Sequence, residues 1–227
     1  MILSSALPRL LQLTSPALPV GAYSYSQGLE WAIEAGTVGD EADALNWIGH
    51  LLEWNVGRFE APCLARMMAA WQRDDIAQLQ RLDGEFIAGR ESAELRAETL
   101  QMGYSLRRLI ETLDDMPAAT RAALDQFDPL SLPLAWSALA SAWAIPAEEA
   151  LAGYLWAWAE NQVMAALKAV PLGQAAGQRM LQTLGSRIGD IAQRALDLPD
   201  DRLSNFAPGF AIACSRHETQ YSRLFRS

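Results

Sequence analysis

Apolar residues recur at spacings of three and four along almost the whole chain. No run alternates with period two between Asn-Gly or Asp-Gly turns, so the pattern predicts an all-α protein. A short first helix over 4–13 ends at Thr14-Ser15-Pro16, after which Pro16 and Pro19 hold the chain extended as far as Gly21. Ser24 is placed to cap a helix starting near Tyr25, with Gln27 completing a capping box and Gly36 as the stop. Asp40 caps a longer helix whose stripe of Leu45, Ile48, Leu52, Val56 and Phe59 runs up to Pro62. That proline predicts a kink or a fresh start before Leu64, Met67, Met68 and Trp71.

Helices follow over 75–88, 92–113 and 118–126, then over 134–145 and 146–170. The stretch 129–147 carries no charge and has the length of a membrane span, but Pro133 and Pro146 divide it and Glu148 and Glu149 follow at once. It reads as two core helices. The second of them, 146–170, is apolar on nearly every side and is predicted to be central. Pro171-Leu172-Gly173 ends it, and a helix over 174–196 places Met180, Leu184, Ile188, Ile191 and Ala195 inward and Arg179, Arg187 and Arg194 outward. After Leu198-Pro199-Asp200-Asp201 only a short helix over 207–216 remains before the polar stretch SRHETQYSRLFRS.

With 51% hydrophobic and 20% charged residues among 227, the chain can bury one substantial core. The expected architecture is a single-domain helical bundle of about ten helices over 1–227, with 200–227 a partner-binding segment ending in a tail. A net charge of −9 disfavours nucleic acid and anionic membrane surfaces and favours a basic partner. Lys168 is the one lysine beside seventeen arginines, so positive charge is presented almost wholly as planar guanidinium forks.

Catalytic signatures are missing. There is no Walker A lysine, GxSxG, HExxH or paired DxD motif, and two histidines, His50 and His217, limit imidazole chemistry. Cys63 and Cys214 belong to no CxxC or zinc-finger spacing. Cys214 and His217 would share a helical face and could offer two ligands to a borderline metal, although a buried apolar cysteine and a hydrogen-bonding histidine account for both. The apolar start carries Arg9 inside the stretch and lacks a basic n-region and a clear cleavage site, which points to a cytoplasmic protein. Acidic Asp40, Glu41 and Asp43 fit the first turn of a helix, and the Trp and Met positions fit a core.

Three stretches hold more hydrogen-bonding chemistry than helix caps require. SPALPVGAYSYSQGLEWAIEAG leaves Tyr23, Tyr25 and Ser26 unexplained by capping. In KAVPLGQAAGQRML, Lys168 stands alone at the end of an apolar helix. SRHETQYSRLFRS interleaves Arg216, Arg223 and Arg226 with Tyr221, Leu224 and Phe225, an interface pairing that suits a segment ordering on a partner.

These three stretches, spread over nearly the whole chain, resemble the UreF family of urease accessory proteins. The resemblance implies a dimeric, non-enzymatic component, without cofactor or metal ligand of its own, that joins UreD (also called UreH) and the GTPase UreG on apo-urease for GTP-dependent nickel delivery. Carried onto this chain, it implies that Tyr23, Ser24, Tyr25, Gln27 and Glu30 form a surface that caps one helix and meets a partner. Lys168, Gln174 and Arg179 match the second motif and, with Glu30, are assigned to the UreG-facing side. Arg216, His217, Glu218, Gln220, Tyr221 and Arg223 match the third, where the tail would dock on UreD and stiffen the dimer. Two other classes of function stay open: a GTPase-activating protein with Arg179 as the supplied arginine, and a small helical metal-binding protein using Cys214 and His217.

Overall fold

In the computed structural model, which describes residues 6–227, every regular element is helical. The first two residues of the helix expected over 4–13 lie outside the described ones; the rest form α1, Ala6–Leu13. A 3-10 turn at Ala22–Ser24 leads to α2, Leu29–Glu34, and then α3 begins at Glu41, capped by Asp40, whose carboxylate accepts from the Asp43 amide at 3.0 Å. That cap follows from local chemistry alone. Ser92 caps α6 (Ala93–Thr112) and Ser131 caps α8 (Leu132–Ala142) in the same way.

At Pro62 the structure differs from a simple kink. α3, Glu41–Leu51, widens into a π-helix over Leu52–Glu60, and the rod continues as α4, Ala61–Trp71, with Pro62 in its first turn. Proline has no amide to give the carbonyl four residues back. The Arg58 carbonyl is satisfied instead by the Ser204 amide at 3.1 Å.

The remaining helices are α5 (Ile76–Ala88), α7 (Ala118–Leu124), α9 (Ala147–Ala169), α10 (Gln174–Asp197) and α11 (Pro208–His217). Helix α9 is central as its all-round apolarity requires, packing against α1, α2, α3, α4 and α10. One continuous core holds Leu13, Leu29, Ile48, Leu64, Phe86, Leu106, Leu155, Val163 and Leu184, and a smaller cluster joins Leu51, Leu95, Phe210 and Cys214 under α11. Among the described residues no helix is long and apolar enough to cross a membrane.

The last ten residues do not leave the body. They return across the bundle and seat Phe225 in the main core. The segment therefore already has a partner, in this same chain.

Candidate partner-binding site

Stretches 15–30 and 217–227, some two hundred positions apart, form one polar seam. The turn sets its geometry. Gln27 and Gly28 both take left-handed backbone conformations, with φ of 52° and 75°, and this turn directs the Ser26 and Gln27 amides onto a single acceptor. The Ser227 carbonyl oxygen accepts from the Ser26 amide (2.7 Å), the Gln27 amide (3.0 Å) and the Ser26 hydroxyl (2.7 Å). Gly28 is required twice. Its φ favours glycine, and a Cβ there would stand 3.1 Å from the Cys214 amide and sulfur where α11 crosses.

Ser24 and Gln27 do not form the expected capping box. Helix α2 begins at Leu29 after Gly28, and the side chain that serves its first turn is that of Ser26, whose hydroxyl accepts from the Glu30 amide at 3.4 Å. Gln27 has two distant partners instead, donating to Glu98 at 2.6 Å and accepting from the Trp158 indole at 2.7 Å. Its left-handed φ excludes it from a helical turn, so the box could not have formed around it. The Ser24 carbonyl accepts from the Arg226 amide at 2.8 Å.

Glu30 is the hub of the seam, and it is buried, where the family resemblance implied a surface position. Its carboxylate accepts from the Leu224 amide at 2.6 Å and the Phe225 amide at 3.0 Å. His217, fully buried rather than exposed, lies between two acids, with Nε2 3.4 Å from Glu30 and Nδ1 2.6 Å from Glu94. Arg223 reaches the other oxygen of Glu94 at 2.6 Å, and Glu218 accepts from the Ala93 amide at 2.8 Å, adding a negative charge at the start of α6. Tyr25 is also buried, and burial pushes its hydroxyl up, with the charge of Glu98 adding to the effect.

Lys168, at the end of α9, links this seam to the second motif. Its ammonium sits 5.6 Å from the Phe225 ring centroid and 5.9 Å from that of Tyr23, and it donates to the Tyr23 carbonyl at 3.5 Å. Tyr23, Gln27, Glu30, Lys168, His217, Glu218 and Arg223 are thus brought together. Others stand apart. Gln174 and Arg216 are exposed, Tyr221 is fully exposed, and Gln220 donates locally to the Ser222 carbonyl at 3.2 Å. Arg179 forks onto Glu41 of α3 at 2.9 and 2.5 Å, and that hydrogen bonding lowers the Glu41 carboxyl from its ordinary value. A role for Arg179 at a nucleotide would require Glu41 to release it.

Cys214 and His217 do not face one ligand position. The cysteine packs against Gly28, burial pushes its thiol up, and His217 turns to its two glutamates. Among the described residues no three His, Cys, Asp or Glu side chains converge as a metal site would require.

Behind the seam lies a second set of polar groups that the sequence did not signal as a set. Arg90, almost wholly buried, donates to Glu60 at 2.7 Å and to Glu91 at 2.9 Å, and the Tyr154 hydroxyl donates to the other Glu60 oxygen at 2.7 Å. Burial opposes the Arg90 charge, but the two carboxylates outweigh it and keep the guanidinium charged. Glu98 has only neutral donors, Gln27 and the Ser227 hydroxyl at 2.5 Å, and burial pushes it up to about 7. Glu94, Glu98 and Ser26 were missed as site residues. A signal existed: Glu94 and Glu98 stand at i and i+4 beside Leu95 and Met102, so their carboxylates share an apolar stripe of α6.

The fold and seam define an all-helical protein in which hydrogen-bonded motifs from distant stretches of the chain meet. The UreF family model matches residues 38–185. Similar proteins include the urease accessory protein UreF of Azoarcus sp. (strain BH72), 61% identical over 96% of this chain and 94% of that one. The urease accessory proteins UreF of Dechloromonas aromatica (strain RCB) and Methylobacillus flagellatus are 59% and 49% identical over 97% and 99% of both chains. This chain belongs to the UreF family.

Proposed function

We propose that this chain acts in urease maturation as a cytoplasmic, non-enzymatic scaffold. It bridges UreD and the GTPase UreG on apo-urease while nickel is delivered at the expense of GTP, and it works as a homodimer. Family membership and the names of its relatives support the role in maturation. The observation that supports the bridging is the meeting of all three motif stretches at one seam, through Glu30, Lys168 and Phe225. Around that seam, Tyr23, Tyr221 and Leu224 expose apolar side chains beside Arg216 and Arg223, a composition suited to protein interfaces. In this reading residues 200–227, with Arg216 and Tyr221 exposed and Gln220 half-buried, face UreD. Lys168, Gln174 and Arg179 face UreG.

Co-purification of the chain with UreD and UreG tests both assignments. Lys168→Ala is expected to lose UreG and keep UreD, while the double substitution Tyr221→Ala, Leu224→Ala is expected to lose UreD with the helical far-UV signal unchanged. Retention of both partners by both variants would overturn the patch assignment. If the unaltered chain captures neither partner, the scaffold itself is refuted.

A further inference from the structure

A cavity of about 260 Å³ opens beside Tyr23 and Lys168 and runs inward between the 13–27 stretch, α6, α8 and α9. Tyr23 and Lys168 are exposed and mark the mouth. Glu98, Trp136 and Tyr154 are buried and mark the floor. Leu18, Met164 and Trp158 form apolar wall between them. At about 30 Å³ for each water in the liquid, the space corresponds to about nine waters, room for one long side chain and too little for a helix.

Charge along this cavity is not balanced. The Arg90 guanidinium is shared by Glu60 and Glu91. Glu98 meets no cation at hydrogen-bond distance, and Glu160, on the wall, has no hydrogen-bond or ion-pair partner among the described residues. Burial raises both carboxyls from their ordinary values, as expected for acids drawn out of water without a matched positive charge. Lys168 does not supply that charge, since it is held over the Tyr23 and Phe225 rings. A bare metal ion is a poor answer too, because no three acidic, His or Cys side chains converge among the described residues. The cation that fits brings its own N–H donors and an aliphatic stem for the apolar wall. Arg90 Nε and Trp136 Nε1, both lining the cavity and without acceptors among the described residues, can bond to solvent kept beside such a group.

We infer that this cavity is a receptor for one basic side chain, an arginine or lysine presented by a partner protein, with Glu98 and Glu160 as its acceptors. The net charge of −9 attracts a basic segment, and the aromatic mouth suits a passing cation. The inference takes the existence of a partner from the function proposed above, while the chemistry of the cavity stands independently. The titratable groups around Glu98 are Glu60, Arg90, Tyr25, Tyr154 and Cys214. Tyr25, Tyr154 and Cys214 are pushed up by burial, and Arg90 stays charged beside Glu60, which leaves Glu98 to govern binding near neutral pH.

Titration of the full chain with Nα-acetyl-arginine amide and Nα-acetyl-lysine amide, followed by NMR shifts of the tryptophan indoles, tests this, with Nα-acetyl-norleucine amide as the uncharged control. The basic probes are expected to bind and the control not, with affinity falling from about pH 8 to about pH 6 as Glu98 takes up its proton. Glu98→Gln, which keeps the hydrogen-bonded shape, is expected to weaken binding by about tenfold at the higher pH while cooperative unfolding persists. Equal binding of the norleucine control, or no basic-probe binding up to about 50 mM, a contact weaker than about −2 kcal/mol, overturns the receptor. A chain that captures UreD and UreG but ignores the probes overturns the receptor alone. One that binds the probes and captures neither partner supports the receptor and overturns the scaffold.

Discussion

Two buried acidic centres lie close together in this bundle and are stabilised in opposite ways. Around Glu60 the match is charge for charge, with Arg90 between Glu60 and Glu91 and the Tyr154 hydroxyl filling the last position. All of those groups belong to the helical body or its turns. Around Glu30 and Glu98 the acceptors are met by backbone amides, a glutamine and a serine, many of them from residues 217–227. The first centre can be lost only by unfolding the bundle. The second can in principle be exchanged, because the segment that satisfies it could be offered an alternative surface while the helices stay folded.

The largest effect is expected where charge is matched by charge. Arg90→Met leaves Glu60 and Glu91 buried without their cation and should cost about 3–5 kcal/mol of global stability, measured by urea denaturation. If the midpoint scarcely moves, the two centres do not differ in the way described.

Glu98 should move in the opposite direction. Its folded value, about 7, lies above the ordinary 4.5. The folded state therefore holds a proton that the unfolded state has released, and stability falls as pH rises between those values. The penalty should approach about 3 kcal/mol above the upper one. Glu98→Gln should flatten that slope and leave the variant the more stable protein at alkaline pH. Denaturation midpoints across the pH range check both statements.

Glu30→Gln should act more locally. It weakens the acceptor for the Leu224 and Phe225 amides, at a cost of about 1–3 kcal/mol. That loss should appear as faster amide exchange and proteolysis in residues 218–227, ahead of any change in the core helices. Uniform loss of protection throughout the bundle would show that the segment does not open separately. The smallest effect belongs to Arg179→Ala, whose pairing joins an exposed guanidinium to the half-exposed Glu41 at the surface. No resolvable shift in thermal midpoint is expected, so any lost UreG capture would report on the interface rather than the fold.

The helices were legible in the sequence because their causes are local. Period-3.6 apolarity, the capping carboxylate of Asp40 and the stop at Pro171-Leu172-Gly173 act within a few residues of where they stand. The all-round apolarity of 147–169 marked the central helix for the same reason: a helix without a polar face has nowhere to go but inside. The chemical richness of the three motifs was visible as well, though not its arrangement. Nothing near Gln27 announces that its side chain will bridge Glu98 and Trp158, or that Gln27 will adopt a left-handed turn in place of a capping box.

The sequence by itself determined the helical class, most of the breaks and which stretches carry the chemistry, since these depend on interactions among neighbours in the chain. Only the tertiary structure decided that Tyr25, Glu30 and His217 are buried, that Phe225 closes back into the core and that Glu98 lacks a cation. Those outcomes depend on groups 71 to 201 residues apart meeting in a place that water leaves. There an unmatched hydrogen bond or charge costs several times what it would at the surface.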